Sequence, residues 1–225
     1  MSKSIGNVGD LFEAMQDLGT DLVRYYLARI GVRFKDDVDW SNKQLENNPA
    51  ELQSLLGNFY LRITSAAFRK RLPEDFFRDL RNSLEQSLKS EHLREVASPL
   101  RDLASVVDQR LKELRVSEAQ EAIIHQLKAV CPAVSLMDNC ELPVALQAKV
   151  MRLGPRRCKL YRLKPMRICG ILLQPFIPAK ASMLLDVMGF PRSERALQHA
   201  QYLRSSVGNV TPGVKLFSRV WKKEF

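Results

Sequence analysis

Apolar residues recur at helical spacing over most of the chain, and glycine, proline and capping residues mark the breaks. From Leu11 to Ile30 this spacing predicts two short helices, with Gly19, Thr20 and Asp21 as the break and cap between them. Val38 and Trp40 then alternate with Asp37 and Asp39, as in a short extended segment or turn, and Ser41 or Asn42 is placed to cap the next helix. From Lys43 the pattern is strongest: Leu52, Leu55, Leu56, Phe59, Ile63 and Ala66 fall on one face at about 100 degrees per residue. Pro73 should stop that helix. Glu74 to Leu114 reads as one or two more helices interrupted near Ser98 and Pro99, and Ser117 can cap another through Leu127. Arg167 to Met188 supplies a last helix, bent at Pro175 and Pro178. No strand-rich region appears, so the expected fold class is mainly α, a helical bundle.

One segment departs from this pattern. Between Cys131 and Pro165 the periodicity disappears and Pro132, Pro143 and Pro155 intrude, which predicts an irregular insert. It is also strongly basic. From Cys140 to Arg167, Lys149, Arg152, Arg156, Arg157, Lys159, Arg162, Lys164 and Arg167 face Glu141 alone, so this stretch carries most of the formal net charge of +10. Such a balance, with a pI near 9.6, favours a polyanionic partner, either nucleic acid or an anionic membrane surface.

Composition sets outer bounds. At 225 residues and 45% apolar content, the chain can bury one substantial core or two small ones. Cys131, Cys140, Cys158 and Cys169 form no CxxC pair and have only three histidines to join them, so neither a zinc site nor a disulfide framework is expected. They read as reduced intracellular thiols. The longest apolar run, Ile168 to Leu173, is far too short to span a bilayer, and no signal peptide is legible at the start. His92, His125 and His199 are scattered singly and are assigned no role. Phe12, Tyr25, Tyr26, Phe59, Tyr60 and Phe68 recur at helical spacing and are assigned to packing.

Two sets of residues carry candidate chemistry. On the helix beginning at Lys43, centring Leu52, Leu55, Phe59 and Ile63 on the buried face places Asn58 and Arg62 to one side, with Ser54, Ser65 and Arg69. An asparagine amide offers a donor and an acceptor to a base edge, and a guanidinium can stack on an unpaired base or take a phosphate. A solvated helix flank would present the same residues. The second set opens the chain: Met1-Ser2-Lys3-Ser4-Ile5-Gly6-Asn7-Val8 resembles the KMSKS loop of class I aminoacyl-tRNA synthetases without its leading lysine. The resemblance makes Lys3 the lysine that contacts ATP phosphates, with Ser2 and Ser4 beside it. A flexible cation there neutralises the charge developing on departing pyrophosphate.

The resemblance extends further. Asp21-Leu22-Val23-Arg24-Tyr25-Tyr26-Leu27 and Asp36-Asp37-Val38-Asp39-Trp40-Ser41 look like the segment that follows this loop in methionyl-tRNA synthetases, and Leu56-Gly57-Asn58-Phe59-Tyr60-Leu61-Arg62 is similar to that family's first anticodon-domain helix. In the family the asparagine and the arginine read anticodon bases, which makes Asn58 and Arg62 the anticodon-binding candidates. Leu172-Leu173-Gln174-Pro175-Phe176-Ile177-Pro178 looks like the closing helix. The implied organisation is a loop and stem-contact segment over 1–42, a helical anticodon-binding domain over 43–190, atypical at 131–166, and a C-terminal tail over 191–225. Trp40 is expected to pack where the first segment meets the bundle.

Departures from the family pattern matter as much. No HIGH-type motif or parallel α/β half precedes the loop, so an internally placed start or a gene fragment is expected. The family's stacking tryptophan has no counterpart near Cys131-Pro132-Ala133, and Trp221 lies too far downstream. A shifted reading frame or retained intron over 131–166 would account for that break. The resemblance implies the C-terminal part of a methionine–tRNA ligase, bacterial-like or mitochondrial, sited in the matrix or else the cytoplasm. Its partners would be tRNA(Met) and possibly a separately encoded catalytic half, with no membrane or DNA partner. ATP with Mg2+ would serve the complete enzyme, and this chain alone would bind neither and be inactive. The alternative is a non-catalytic helical RNA-binding module or an inactive gene fragment.

Overall fold

The computed structural model describes residues 10–30, 40–65, 91–138, 163–201 and 210–217, with backbone alone at 42, 63, 91–99 and 130–138. Every regular element among them is helical. Helix α1, Leu11–Leu18, starts where Asp10 Oδ1 accepts from the amides of Phe12 (2.8 Å) and Glu13 (3.3 Å), satisfying two donors that the first turn leaves open. It ends at Gly19, whose φ of 86° is strained for a residue with a side chain. Helix α2, Thr20–Ile30, follows at once, so the break expected at Gly19 is real.

Asp21, expected to cap its own helix, reaches instead to a distant one. Its Oδ2 accepts from the Lys180 amide at 2.7 Å, capping a helix 159 residues away. Ser41 does cap helix α3, Asn42–Leu52, through Oγ to the Gln44 amide at 3.4 Å. The helical path then continues through a wider π-wound turn, Gln53–Asn58, into helix α4, Phe59–Ile63. The expected regular α spacing therefore holds on either side of Gln53–Asn58 but not within it. Insertions of this type shift the face that downstream residues present and occur often at functional positions.

Helices α5, Glu91–Lys112, and α6, Val116–Asp138, form an antiparallel hairpin closed at Leu114, which has a φ of 60°. Leu100, Leu103 and Val107 on α5 and Ala119, Ile123, Ile124 and Leu127 on α6 all lie in one buried cluster. This packing corrects two expectations. Helix α5 runs unbroken through Pro99, and α6 runs on through Pro132 to Asp138 instead of ending near Leu127. A proline removes one backbone bond, while the buried stripe on each helix supplies most of its stability.

The C-terminal third corrects others. Residues 163–172 form helix α7, buried from Leu163 to Leu173. A tight turn, with the amides of Phe176 and Ile177 both on the Leu173 carbonyl at 2.9 Å, leads into helix α8, Pro178–Val187. Pro178 stands in the first turn of α8, where its missing N–H costs nothing, so the prolines divide two helices and do not bend one. With helix at 131–138 and 163–166, both ends of the expected irregular insert belong to the regular fold, and 139–162 lies outside the described residues. Glu74–Ser90, Phe68, Pro73 and the extended segment expected before Trp40 likewise fall wholly or largely outside them.

A single main core draws on Leu22 and Tyr25 of α2, Leu52, Leu56, Phe59 and Tyr60 of the α3–α4 rod, the α5–α6 hairpin, α7 and α8, and on Ala200, Leu216 and Phe217 beyond Phe190. The segment expected as a tail thus contributes buried side chains, among them Arg195 and His199. A smaller cluster joins Ala14, Val23, Tyr26 and Leu45, with Trp40 packed edge-on against Tyr26 at 5.3 Å between ring centres. Trp40 accordingly sits where α2 meets α3. Tyr25, Tyr26, Phe59 and Tyr60 are buried as expected, but Phe12 is not: it is 76% exposed, on the outer side of an eight-residue helix that buries only Ala14.

Candidate nucleic-acid interface

The geometry of the α3–α4 rod decides which polar residues face outward. Leu52, Leu56, Phe59 and Tyr60 are inside the core, and Leu55 is half-buried. Ser54, Asn58 and Arg62, spaced by four, are exposed along one flank. Residues at this spacing meet on a helix surface, so an amide and a guanidinium stand beside each other in solvent, one turn apart. Ser65 lies half-buried at the foot of the same flank, and Arg69 falls outside the described residues.

The rod is held from two sides. At its N-terminal half, Glu51 Oε2 pairs with Arg29 Nη1 of α2 and Oε1 with Lys128 Nζ of α6, both at 2.5 Å. Arg29 Nη1 also donates to the Tyr25 hydroxyl at 2.9 Å. Burial alone would raise the Glu51 carboxyl, but the Lys128 ammonium and the Arg29 guanidinium outweigh it and hold the group below the usual carboxylate range. Burial pushes the Tyr25 phenol up to about 12 against the pull of Arg29, so it stays a neutral hydroxyl. At the C-terminal half, the buried Tyr60 hydroxyl, also pushed up to about 12 by desolvation, donates to the Thr211 carbonyl. Thr64 ends α4 by donating from Oγ1 to the Tyr60 carbonyl at 2.8 Å.

Gly57 lies between these two fastenings, next to Asn58. A Cβ at position 57 would stand 2.9 Å from Phe217 Cδ2, closer than side-chain carbons approach, so the ring occupies the space that any other residue would fill. A glycine inside a strong helical pattern costs stability and so hints at a packing reason for its presence. Nothing in the sequence names Phe217 as what approaches.

Not all of the basic run faces a partner. Arg167 is 2% exposed, donating from Nη1 to the His199 carbonyl (2.7 Å) and from Nη2 to the Gln201 carbonyl (2.6 Å), with its guanidinium carbon 5.8 Å from the centre of the Phe190 ring. Lys164 is 4% exposed, and burial, with the Arg167 charge in addition, lowers its ammonium to about 8. Two of the eight basic residues expected to attract a polyanion are therefore structural. The other six lie outside the described residues, as do Ser2, Lys3 and Ser4. His199, given no role from sequence, supplies the buried carbonyl that Arg167 needs.

Comparison with known proteins agrees with this architecture. The family model for class I tRNA synthetases (M) matches residues 1–64, a stretch that includes Asn58 and Arg62. The chain is 33% identical over 211 residues to a probable mitochondrial methionine–tRNA ligase of Neurospora crassa, covering 90% of this chain and 33% of that protein. It is 27% identical over 213 residues to a mitochondrial methionine–tRNA ligase of Xenopus laevis, covering 93% of this chain and 36% of that one. In fold it is similar to Mycobacterium tuberculosis methionyl-tRNA synthetase, solved in complex with methionyl-adenylate, with a TM-score of 0.72 at 22% identity over 97% of this chain and 41% of that chain. The helical architecture and the matched opening residues are those of a class I aminoacyl-tRNA synthetase. Within that class, the chain belongs to the methionyl-tRNA synthetase family, and it spans about a third of the length of the relatives it matches.

Proposed function

We propose that this chain is the C-terminal portion of a methionine–tRNA ligase and supplies the surface that docks the anticodon of tRNA(Met). The observation that carries this reading is the outward position of Asn58 and Arg62 on a rod whose other face is in the core. The Asn58 amide is suited to the hydrogen-bonding edge of an unstacked base, and the Arg62 guanidinium to the face of the next base or its phosphate. In the complete enzyme, methionine and ATP give methionyl-adenylate and pyrophosphate, and the methionyl group then passes to a tRNA hydroxyl with release of AMP. There Lys3, flanked by Ser2 and Ser4, would meet the phosphates of Mg2+-bound ATP. Methionine and the adenine of ATP would be held by the remaining part of the enzyme, on the same or a separate polypeptide. The mitochondrial relatives support a mitochondrial place of action, and the matrix is our proposal within it.

Binding of a methionine tRNA to the 225-residue chain, measured by filter retention or anisotropy, tests the docking role. Asn58→Ala and Arg62→Ala should each weaken binding by about 1–3 kcal/mol, the usual worth of a base contact. Affinity should also fall with added salt. Unchanged affinity in both variants would leave the pair as ordinary solvated side chains and remove the anticodon assignment. ATP–pyrophosphate exchange with methionine should be absent for this polypeptide by itself, and robust exchange would overturn the division of labour.

A further inference from the structure

We infer that residues 210–217 form a strap that positions the tRNA-reading pair: Phe217 seated on Gly57 and Thr211 bonded to Tyr60 fix how the wide turn at Gln53–Asn58 presents Asn58 and Arg62 to an unpaired base. This rests on the anticodon assignment above and adds residues that touch no nucleotide. Three observations converge on it.

The Phe217 ring lies against the backbone of Gly57, the residue before Asn58, with no room for even a methyl group between them. The Tyr60 hydroxyl, two residues past Asn58 and two before Arg62, donates to the Thr211 carbonyl. The strap is itself anchored: Leu216 and Phe217 are buried in the main core, Val210 and Val214 pack against it, and the Thr211 amide donates to the Val187 carbonyl at 2.7 Å. The Lys180 ammonium stands over the Phe217 ring, 5.6 Å from its centre. Helix α8 therefore braces the strap, and the strap holds the rod at the turn that carries Asn58.

The winding of that turn gives the grip its consequence. A π-wound turn closes i to i+5, and conversion to α winding turns everything beyond it about the rod axis by a large part of one residue's rotation. Asn58 and Arg62 would then swing together off the flank they now occupy relative to the core. With Phe217 filling the space over Gly57, the backbone there cannot shift toward the strap, and with Tyr60 tied to Thr211 the residues beyond the turn cannot rotate freely. The strap holds the two side chains in one presentation before RNA arrives, so binding does not have to order them.

The test uses the full chain, a methionine tRNA and the variants Phe217→Leu, Tyr60→Phe, Asn58→Ala and Arg62→Ala, singly and with Asn58→Ala combined with each strap variant. Folding is followed by circular dichroism, and binding is measured well below each melting temperature. Phe217→Leu keeps the site apolar and Tyr60→Phe removes only the hydroxyl, so each should retain the helical spectrum. Phe217→Leu should weaken tRNA binding by about tenfold, and Tyr60→Phe by about threefold, through misplacement of Asn58 and Arg62. Combined with Asn58→Ala, each should add little beyond Asn58→Ala alone, because both act through the same contact. Full affinity in folded Phe217→Leu and Tyr60→Phe, or losses that add fully to that of Asn58→Ala, would overturn the strap while leaving the anticodon assignment intact. If neither Asn58→Ala nor Arg62→Ala weakens binding, the anticodon assignment itself fails, and the strap's positioning role falls with it.

Discussion

Replacing Arg167 should damage the fold and leave RNA binding nearly untouched, the reverse of what its place in a basic run suggests. In Arg167→Met the aliphatic volume is largely kept, but the carbonyls of His199 and Gln201 lose their donor. The His199 carbonyl is bonded within the interior and has no water to turn to, which costs about 1–3 kcal/mol. Gln201 is exposed, so its carbonyl can be rehydrated at a cost of well under about 1 kcal/mol. Relief from burying a cation offsets part of this loss. The net destabilisation is about 2 kcal/mol for Met. Arg167→Ala should cost about 3–4 kcal/mol, because a cavity opens beside Phe190 as well. For a chain of this size, that corresponds to a fall in melting temperature of roughly 4–8 °C for Met and more for Ala. Thermal and urea melts read the stability, and tRNA titrations over a range of salt read the charge. A melting temperature within a degree of the parent, or a salt slope reduced by about one phosphate contact, would refute the structural assignment of Arg167.

Two further expectations follow from the same geometry. Lys164 has a folded-state pKa of about 8, below its ordinary value of 10.5, so the unfolded chain binds more protons between those values. Stability should therefore rise as pH increases from about 8 toward 10, and Lys164→Met should flatten that rise in urea melts. Asp21→Ala should cost about 0.5–2 kcal/mol through loss of the cap on the Lys180 amide, while Asp21→Asn, which retains an acceptor, should lose less by the same melts.

The elements that sequence made legible are those whose signals are local. Gly19 ends a helix because its own backbone conformation requires it, Ser41 caps because its hydroxyl reaches an amide three residues on, and the leucine stripe from Leu52 defines the buried face that turns Asn58 and Arg62 outward. What stayed hidden depends on partners distant in the chain. Asp21 reads as the cap of the helix it begins, and only the tertiary fold brings Lys180 to it. Arg167 and Lys164 count as surface charge until a buried carbonyl and a packed helix remove them from solvent. Pro99 and Pro132 look like stops because a local rule cannot weigh one lost bond against an interhelical stripe. The spacing of Phe12 points to packing, yet α1 is too short to bury two sides.

The bond between Asp21 and the Lys180 amide joins α2 to α8 across 159 residues, and this bears on how the molecule can be divided. Cutting at Asn42 to isolate the larger bundle would take away the acceptor over α8, the Tyr25 ring at the centre of the core, and the carbonyl that receives Gln120 Nε2 at 3.1 Å. Such a truncation would expose a hollow where α2 had lain. A soluble fragment for crystallisation or tRNA titration is better begun before Asp10 than at the visually tempting start of α3.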